Sequence, residues 1–501
     1  MKTVLEFLEG AESRLPDKIA VIDENSRCTY RELKSAARQI GSFLIPRVSG
    51  RQSVVCLMDK SVSCLQAFLG IAYAGCFYTL LDPSFPRDRT EQILSVLTPG
   101  VIFTTRAYEK RAEELGLADR VTYLEDIPKE ENPELLARRR ETVCDTDPLY
   151  CNFTSGSTGV PKGVLVAHRS VIEFIGVFTR TFGLTQQDVF GNQAPFDFDV
   201  SVKDIYSSLS LGGTLVLIPK AYFMFPVKLV EMLQEHHVTT LIWAVSALCM
   251  LMRLHALKAV RPDAIQKIMF SGEVMPIKQF HKWVQAYPDA MFVNLYGPTE
   301  ITCNCTYYIV DREFAEDEKI PMGIPFDNER VFLLNDRDLP AGEGEVGEVC
   351  VAGTSVALGY YRNPQQTAKA FVQNPLHNDY PETIYRTGDL AMCENGQLVF
   401  VGRKDFQIKH MGHRIELEEI ETVLGNVEGV THACCGYDQK RNKVVGFYCG
   451  DADKAFIVDE MKKSVPDYMV PNVLVQKEVL PLTKNGKTDR KKLLNDYQEG
   501  K

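Results

Sequence analysis

No C-x-x-C pair occurs in the 501 residues, although the chain holds 14 cysteines. That excludes the common thiol-redox motif and paired-cysteine zinc sites. Cys303-Asn304-Cys305 is too tight for a zinc knuckle, and Cys434 and Cys435 are adjacent. Cys56, Cys76, Cys249 and Cys350 sit in apolar company, where a free thiol behaves as a small hydrophobe, and a reducing cytoplasm is expected. Excess basic charge is also missing: 56 lysines and arginines face 66 acids, for a net charge of −10. This argues against nucleic acid or an anionic membrane surface as the main partner and reads first as a charge that keeps the chain soluble. No signal peptide is expected, because acidic residues begin at Glu6. Residues 61–81 carry no charge and are long enough to span a bilayer. Their Ser61, Ser63, Gln66, Gly70, Gly75 and Thr79, and the breaker run from Asp82 to Pro86, instead make them a buried helix and strand, with no membrane insertion. Internal repeats and low-complexity tracts are absent as well.

What is present is an alternation of helical and strand patterns. At 501 residues the chain exceeds one compact core, so about two to four domains or subdomains are expected. Thr29 and Glu32 form a capping-box pair ahead of Leu33, Ala36, Ala37 and Ile40, which predicts a helix start. VVCLM at 54–58 reads as a buried strand. The same rhythm recurs in TLVLI (214–218), a helix near 228–237, TLIWA (240–244), KIMFSG (267–272) and MFVNLYG (291–297). Strands separated by helices imply an α/β fold with parallel sheets. From about Ile320 short strands and turns predict a more antiparallel, barrel-like subdomain. After it comes a small α+β tail with a helix at 416–424, strands near THACCGY and KVVGFYC, and a helix at 455–464. The expected division is a large N-terminal core, 1–404, and a small C-terminal domain, 405–501. Arg138-Arg139-Arg140 is expected on a solvated loop.

The segment richest in chemistry runs Thr154, Ser155, Gly156, Ser157, Thr158, Gly159, Val160, Pro161, Lys162, Gly163, directly after the strand-like LYCNF. Its glycines let backbone N–H groups converge, and its hydroxyls and Lys162 add donors for a polyphosphate. It is not a Walker A loop, since G-x-x-x-x-G-K-[ST] is not satisfied. A flexible Ser/Gly linker is the alternative, but a linker rarely leads through Pro-Lys-Gly into an apolar strand such as VLVAH.

This loop resembles the signature of the adenylate-forming superfamily, which includes acyl-CoA synthetases, luciferases and nonribosomal-peptide adenylation domains. The resemblance extends in order through AGCFYTLLDPSFPRDR (74–89), NLYGPTE (294–300), GEVCVAGTSVALGYY (347–361), YRTGD (385–389), GRKDFQIKHMGHRIE (402–416) and PLTKNGKTDR (481–490). It implies ATP as cosubstrate and a small mobile lid at the C-terminus. It also implies that Asn294 contacts the adenine edge, Tyr296 stacks on its face, Thr299 touches the α-phosphate and Glu300 binds Mg²⁺. Asp389 would hold the ribose hydroxyls, a task that suits a carboxylate accepting two hydrogen bonds. Lys487 would bridge the substrate carboxylate and the α-phosphate as a compact cation. Asp405 matches the hinge, Arg403 a ribose or phosphate contact, and Gly412 the surroundings of the acceptor's tunnel.

Phe196, Asp197, Phe198, Asp199, Val200, Ser201 and Val202 resemble the F-D-x-S-V element of enzymes that adenylate amino acids. The resemblance sets Asp199 against the substrate's α-ammonium, with Asp197 a competitor by proximity. Phe198, Val200, Lys203, Met269, Ser271, Leu295, Cys303 and Asn304 become pocket walls, with one more wall unplaced around 242–244. Lys203 could meet a carboxylate or carbonyl on the substrate's side chain, pair with Asp199 at i,i+4, or extend outward. The strongest likeness, through QAPFDFDVSVKDIY and MFSGEVMP, is to stand-alone D-alanine–carrier protein ligases. Ser271 stands where those ligases carry Cys and Lys203 where they carry an apolar residue, which puts D-alanine itself in doubt. The chain ends eleven residues after Arg490, so either the carrier protein that bears the phosphopantetheine is a separate chain, which is the expectation, or this is one domain of a larger synthetase. The expected activity is amino-acid adenylation followed by transfer to that thiol. An aryl- or acyl-CoA synthetase is the enzymatic alternative, and a nucleotide-binding module that has lost catalysis is the non-enzymatic one.

Overall fold

The computed structural model describes residues 1–156, 161–482 and 488–500. Two compact units emerge. The first comprises Met1–Pro83, Thr98–Asn152 and Val164–Lys404, and the second Ser84–Leu97, Phe153–Gly163 and Asp405–Lys501. The segments 84–97 and 153–163, which the sequence division places in the large core, group with the C-terminal residues.

Two parallel-rich sheets dominate the first unit. In the larger, nine strands run in the order Ile324–Pro325, Thr306–Ile309, Met291–Tyr296, Lys267–Ser271, Thr240–Ala244, Val189–Asn192, Thr214–Leu217, Ile19–Ile22 and Arg27–Thr29. Its central neighbours pair in parallel, with helices as crossovers, as the alternating sequence pattern requires. A second sheet of seven strands includes Ser53–Leu57, Phe77–Leu81 and Pro148–Thr154. The uncharged stretch 61–81 resolves into helix Val62–Tyr73 and strand Phe77–Leu81, both buried. No described helix is long and apolar enough to cross a membrane. Thr29 caps the helix Tyr30–Leu44 in a full capping box with Glu32.

The barrel-like part is a five-stranded antiparallel sheet built on Glu329–Leu334, Gly347–Gly353, Phe371–Gln373, Thr383–Glu394 and Gln397–Arg403. In the second unit the α+β tail carries helices Leu417–Gly425 and Lys454–Ser464 and a three-stranded sheet of Val430–Asp438, Lys443–Gly450 and Val473–Gln476.

One expectation fails. Arg138, Arg139 and Arg140 lie in a helix, Pro133–Glu141, rather than a loop. Asn132 caps it and Pro133 takes the first turn, a start signal that outweighs the arginine run. Arg140 turns inward to pair with Glu9 at 2.6 Å.

Every described cysteine is free, and most are buried, Cys144 being the exposed exception. Burial pushes the thiols of Cys64, Cys303 and Cys435 well up, so these behave as apolar fillers.

Candidate active site

In the first unit, Asp389 sits at the centre of one cluster. It is 3% exposed and lies on the strand Thr383–Glu394, directly paired with Arg403 on the neighbouring strand. Arg403 Nη1 donates to its Oδ1 at 2.5 Å, and the Tyr296 hydroxyl donates to its Oδ2 at 2.6 Å. Gly388, at φ +73, turns the strand just before it. Glu348 accepts from the Gly388 N–H and from both Nε and Nη2 of Arg386. Three nonadjacent motifs thus converge on one buried carboxylate, which keeps lone pairs for further donors. Burial and the Asp389 charge push the Tyr296 phenol far up, so it acts as a donor at all working pH values.

Asn294 and Tyr296 share one face of the strand Met291–Tyr296, while Val293 and Leu295 take the other. Asn294 Nδ2 donates to the Pro321 carbonyl at 2.7 Å, which fixes the amide's orientation. Thr299 opens the short 3₁₀ turn Thr299–Ile301. Glu300 within it is wholly buried and accepts from the Tyr360 hydroxyl at 2.7 Å. The next two residues, Thr302 and Cys303, have φ of +50° and +82°, a backbone state costly for non-glycine residues and often found at functional sites. Gly297 makes this turn possible, because a Cβ there would stand 2.4 Å from the Asn304 Cα.

The opposite face of the large sheet collects the predicted amino-acid pocket. In register, Ala244, Ser271 and Leu295 lie side by side, and Ile242, Met269 and Val293 form the row beneath. Strand alternation puts Ile242 and Ala244 on the same face as Met269 and Ser271, while Trp243 turns away and donates to the Gly191 carbonyl. Ligands in such sheets bind outside the carboxyl ends of the strands, where this row lies. Helix Val200–Leu211 packs across it, with Phe198, Asp199 and Val200 half-buried at its start. Asp199 occupies the N-cap position, yet its side chain does not cap the helix. Its carbonyl accepts from the Cys303 thiol at 3.0 Å, which ties the strained turn to the pocket. Asp197 has an Oδ1 without a hydrogen bond, and burial pushes its carboxyl up to about 7.

Lys203 does not extend outward: it is 0% exposed and donates to Asn304 Oδ1 at 2.7 Å. Beneath it lies a polar chain that no motif announced. Lys60 Nζ donates to Asn192 Oδ1 at 2.9 Å and to the Gln193 carbonyl at 2.8 Å. Asn192 Nδ2 in turn donates to Asp204 Oδ2 at 2.8 Å. Burial pushes the Asp204 carboxyl up to about 7 and the Lys60 ammonium down to about 7. Lys60 and Asn192 are 132 residues apart, and only the strand order brings them together.

The remaining candidates lie in the second unit. Ser155 Oγ donates to the Arg414 carbonyl at 2.8 Å and accepts from the Glu416 N–H. The Gly156 N–H donates to Glu419 Oε2 at 3.1 Å, and Lys162 Nζ stands 3.7 Å from Glu416 Oε1. Thr154 ends the strand Pro148–Thr154 with its hydroxyl buried and unpaired. Asp405 begins the C-terminal part of this unit, its Oδ1 accepting from the Gln407 N–H. Gly412, at φ +83, and Met411, at φ +53, form the two-residue turn of a hairpin. Ser157, Thr158, Gly159 and Lys487 lie outside the described residues.

The α/β core with its antiparallel third sheet and the order of these motifs along the chain define an adenylate-forming enzyme. The chain belongs to the AMP-binding enzyme family, whose pattern it matches over residues 8–361. It is 32% identical over 507 residues to the D-alanine–D-alanyl carrier protein ligase of Staphylococcus aureus, covering 98% of this chain and 99% of that one. Tyrocidine synthase 3 of Brevibacillus parabrevis is also 32% identical, over 97% of this chain, but the chain spans only 8% of that protein's length. Among solved structures, the Vibrio cholerae adenylation domain AlmE, in complex with glycyl-adenosine-5′-phosphate, superposes with a TM-score of 0.86 at 23% identity. That match covers 99% of this chain and 98% of AlmE.

Proposed function

We propose that the enzyme activates an amino acid with ATP and passes it to the phosphopantetheine thiol of a separate carrier protein. In the first step a substrate carboxylate oxygen attacks the α-phosphorus of ATP, the bond to the β-phosphate breaks, and pyrophosphate leaves. In the second, the thiol sulfur attacks the acyl carbon, AMP leaves, and the thiol proton passes to solvent. Both reactants of the first step are anionic, so the protein's task is positioning and neutralisation of charge.

In this reading Asp389, held by Arg403 and Tyr296, accepts the ribose hydroxyls. Asn294 lies against the adenine edge with Tyr296 beside it. The loop of Thr154, Ser155, Gly156, Ser157, Thr158 and Gly159, with Lys162, holds the phosphates, the Ser155 hydroxyl and Gly156 N–H giving up their bonds to residues 414–419 to do so, and Thr299 reaches the α-phosphate. Lys487 cancels the repulsion between carboxylate and phosphate, and Asp405 is the hinge of a mobile lid that spans 405–501. Among the described residues no group of three His, Cys, Asp or Glu could hold a metal alone. A buried carboxylate such as Glu300 suits Mg²⁺, which takes one or two protein carboxylates and fills its shell with phosphates and water. When bound, the ion would offset phosphate charge.

The observation that carries the amino-acid reading is Asp199. Its side chain does not cap the helix it precedes, and its backbone is tied to Cys303 at the sheet's carboxyl end. A carboxylate at this position suits the α-ammonium of an amino acid, a cation that a simple fatty or aromatic acid lacks. The likeness to the staphylococcal ligase supports the same substrate class and a carrier acceptor. The test is amino-acid-dependent exchange of labelled pyrophosphate into ATP, followed by mass detection of the loaded carrier. Thioester formation on free coenzyme A from acids that lack an amine would instead mark an acyl-CoA synthetase.

A further inference from the structure

Lys203 places an amine where a cation is expensive: burial pushes its ammonium down from the ordinary lysine value, and only an anion beside it would hold the charge. It is wholly buried, and its ammonium has three donors but, among the described residues, one hydrogen bond, to Asn304 Oδ1. It makes no ion pair with Asp199, although the two stand one helical turn apart. A buried ammonium left this way costs several kcal/mol unless an anion completes its shell.

The partner's orientation is determined as well. An ammonium only donates, so Asn304 must turn its oxygen toward Lys203, and its Nδ2 then faces away as a second donor. That nitrogen finds no acceptor among the described residues. Gly297 and the strained pair Thr302 and Cys303 hold Asn304 in this position. Lys203 Nζ and Asn304 Nδ2 therefore offer two donor groups side by side. A carboxylate, which only accepts, matches both and supplies the charge the ammonium lacks, whereas a carboxamide brings no charge.

The other charged neighbours leave the position open. Asp204 accepts from Asn192 on one oxygen, its other oxygen has no hydrogen bond among the described residues, and burial pushes its carboxyl up to about 7; it forms no ion pair with Lys203. The Cys303 thiol is pushed well up by burial and stays neutral. Asp199 is reserved for the α-ammonium in the function proposed above, on which this step rests. We infer that Lys203 and Asn304 form a carboxylate-binding subsite, so that the amino acid activated carries an acidic side chain.

The experiment is pyrophosphate exchange with the whole enzyme, comparing both stereoisomers of aspartate with asparagine, and of glutamate with glutamine. An acid favoured over its own amide by about 100-fold or more in kcat/KM is expected, since sites built around buried donors reject analogues that cannot satisfy them. In Lys203→Met that preference should vanish, with activity on the acid falling by a similar factor. The wild-type comparison needs no variant, so a misfolded Lys203→Met would not spare the proposal. Exchange with neutral amino acids and no preference for either acid would overturn the subsite while leaving amino-acid adenylation intact. Exchange with no amino acid at all would overturn the proposed function itself.

Discussion

Asp389 is held by two donors from different motifs, and the hydroxyl of Tyr296 is the one that can be removed without disturbing packing. A hydrogen bond to a charged group contributes about 1.5–3 kcal/mol. Tyr296→Phe should therefore raise the KM for ATP roughly 10-fold while the KM for the amino acid stays unchanged, as read by pyrophosphate exchange. An unaltered ATP KM would detach Asp389 from nucleotide binding. Asp204 allows a test by pH. Its carboxyl rises from 3.8 to about 7 on folding, so the folded state holds a proton that the unfolded chain releases. Stability is then lost as pH climbs through the window from about 4 to about 7 and is not lost further above it. Asp204→Asn lacks this term, so its advantage over wild type should grow by on the order of 1–3 kcal/mol between pH 5 and pH 8 in urea unfolding. Lys60, held down to about 7, acts in the higher window, where stability is regained as pH rises toward 10.5. None of Lys60, Asn192 and Asp204 stood out in the sequence. Each is an ordinary polar residue until the strand order makes them one chain, whereas Asp389, Glu300 and Asp199 are singled out in the sequence by the short motifs around them.

Helix Arg87–Leu97 and helix Leu417–Gly425 are joined in the second unit by a buried ion pair, Arg89 to Glu419 at 2.6 Å, with 4% and 2% of the side chains exposed. The other oxygen of Glu419 accepts from Gly156, so one carboxylate ties together three segments far apart in sequence. Glu419→Ala would leave Arg89 as an uncompensated buried charge and should destabilise this unit by about 3–5 kcal/mol. Limited proteolysis and denaturant unfolding would register it, and a variant as resistant as wild type would contradict the clamp. Arg89→Met combined with Glu419→Leu should recover much of the loss, since apolar residues of similar size often replace a buried pair without penalty. Elements with strong local signals were legible: the capping box at Thr29 and the strand at 240–244 fall where the pattern places them. The helix Pro133–Glu141 was not, because its charge run hid a cap that Asn132 and Pro133 state plainly. Which side of strand Thr240–Ala244 faces the pocket needed the register with Met269 and Ser271, which no single strand contains.

Across the whole molecule, the order of motifs along 501 residues made the α/β architecture and its antiparallel third sheet readable. The grouping of residues 84–97 and 153–163 with the C-terminal part was not readable, because it depends on long-range packing that chain order does not encode. In the function proposed, the chemistry at this scale rests on charge neutralisation between two anions. Lys487→Ala should lower the rate of adenylate formation by about 100-fold or more, with ATP binding largely retained in equilibrium dialysis. A fully active variant would assign that task to another cation. The most direct measurement of the central claim is ATP–pyrophosphate exchange across amino acids of both hands, alongside benzoate and fatty acids. Exchange should depend on an amino acid and be negligible with acids that lack an amine; exchange with benzoate or a fatty acid, and none with any amino acid, would contradict it.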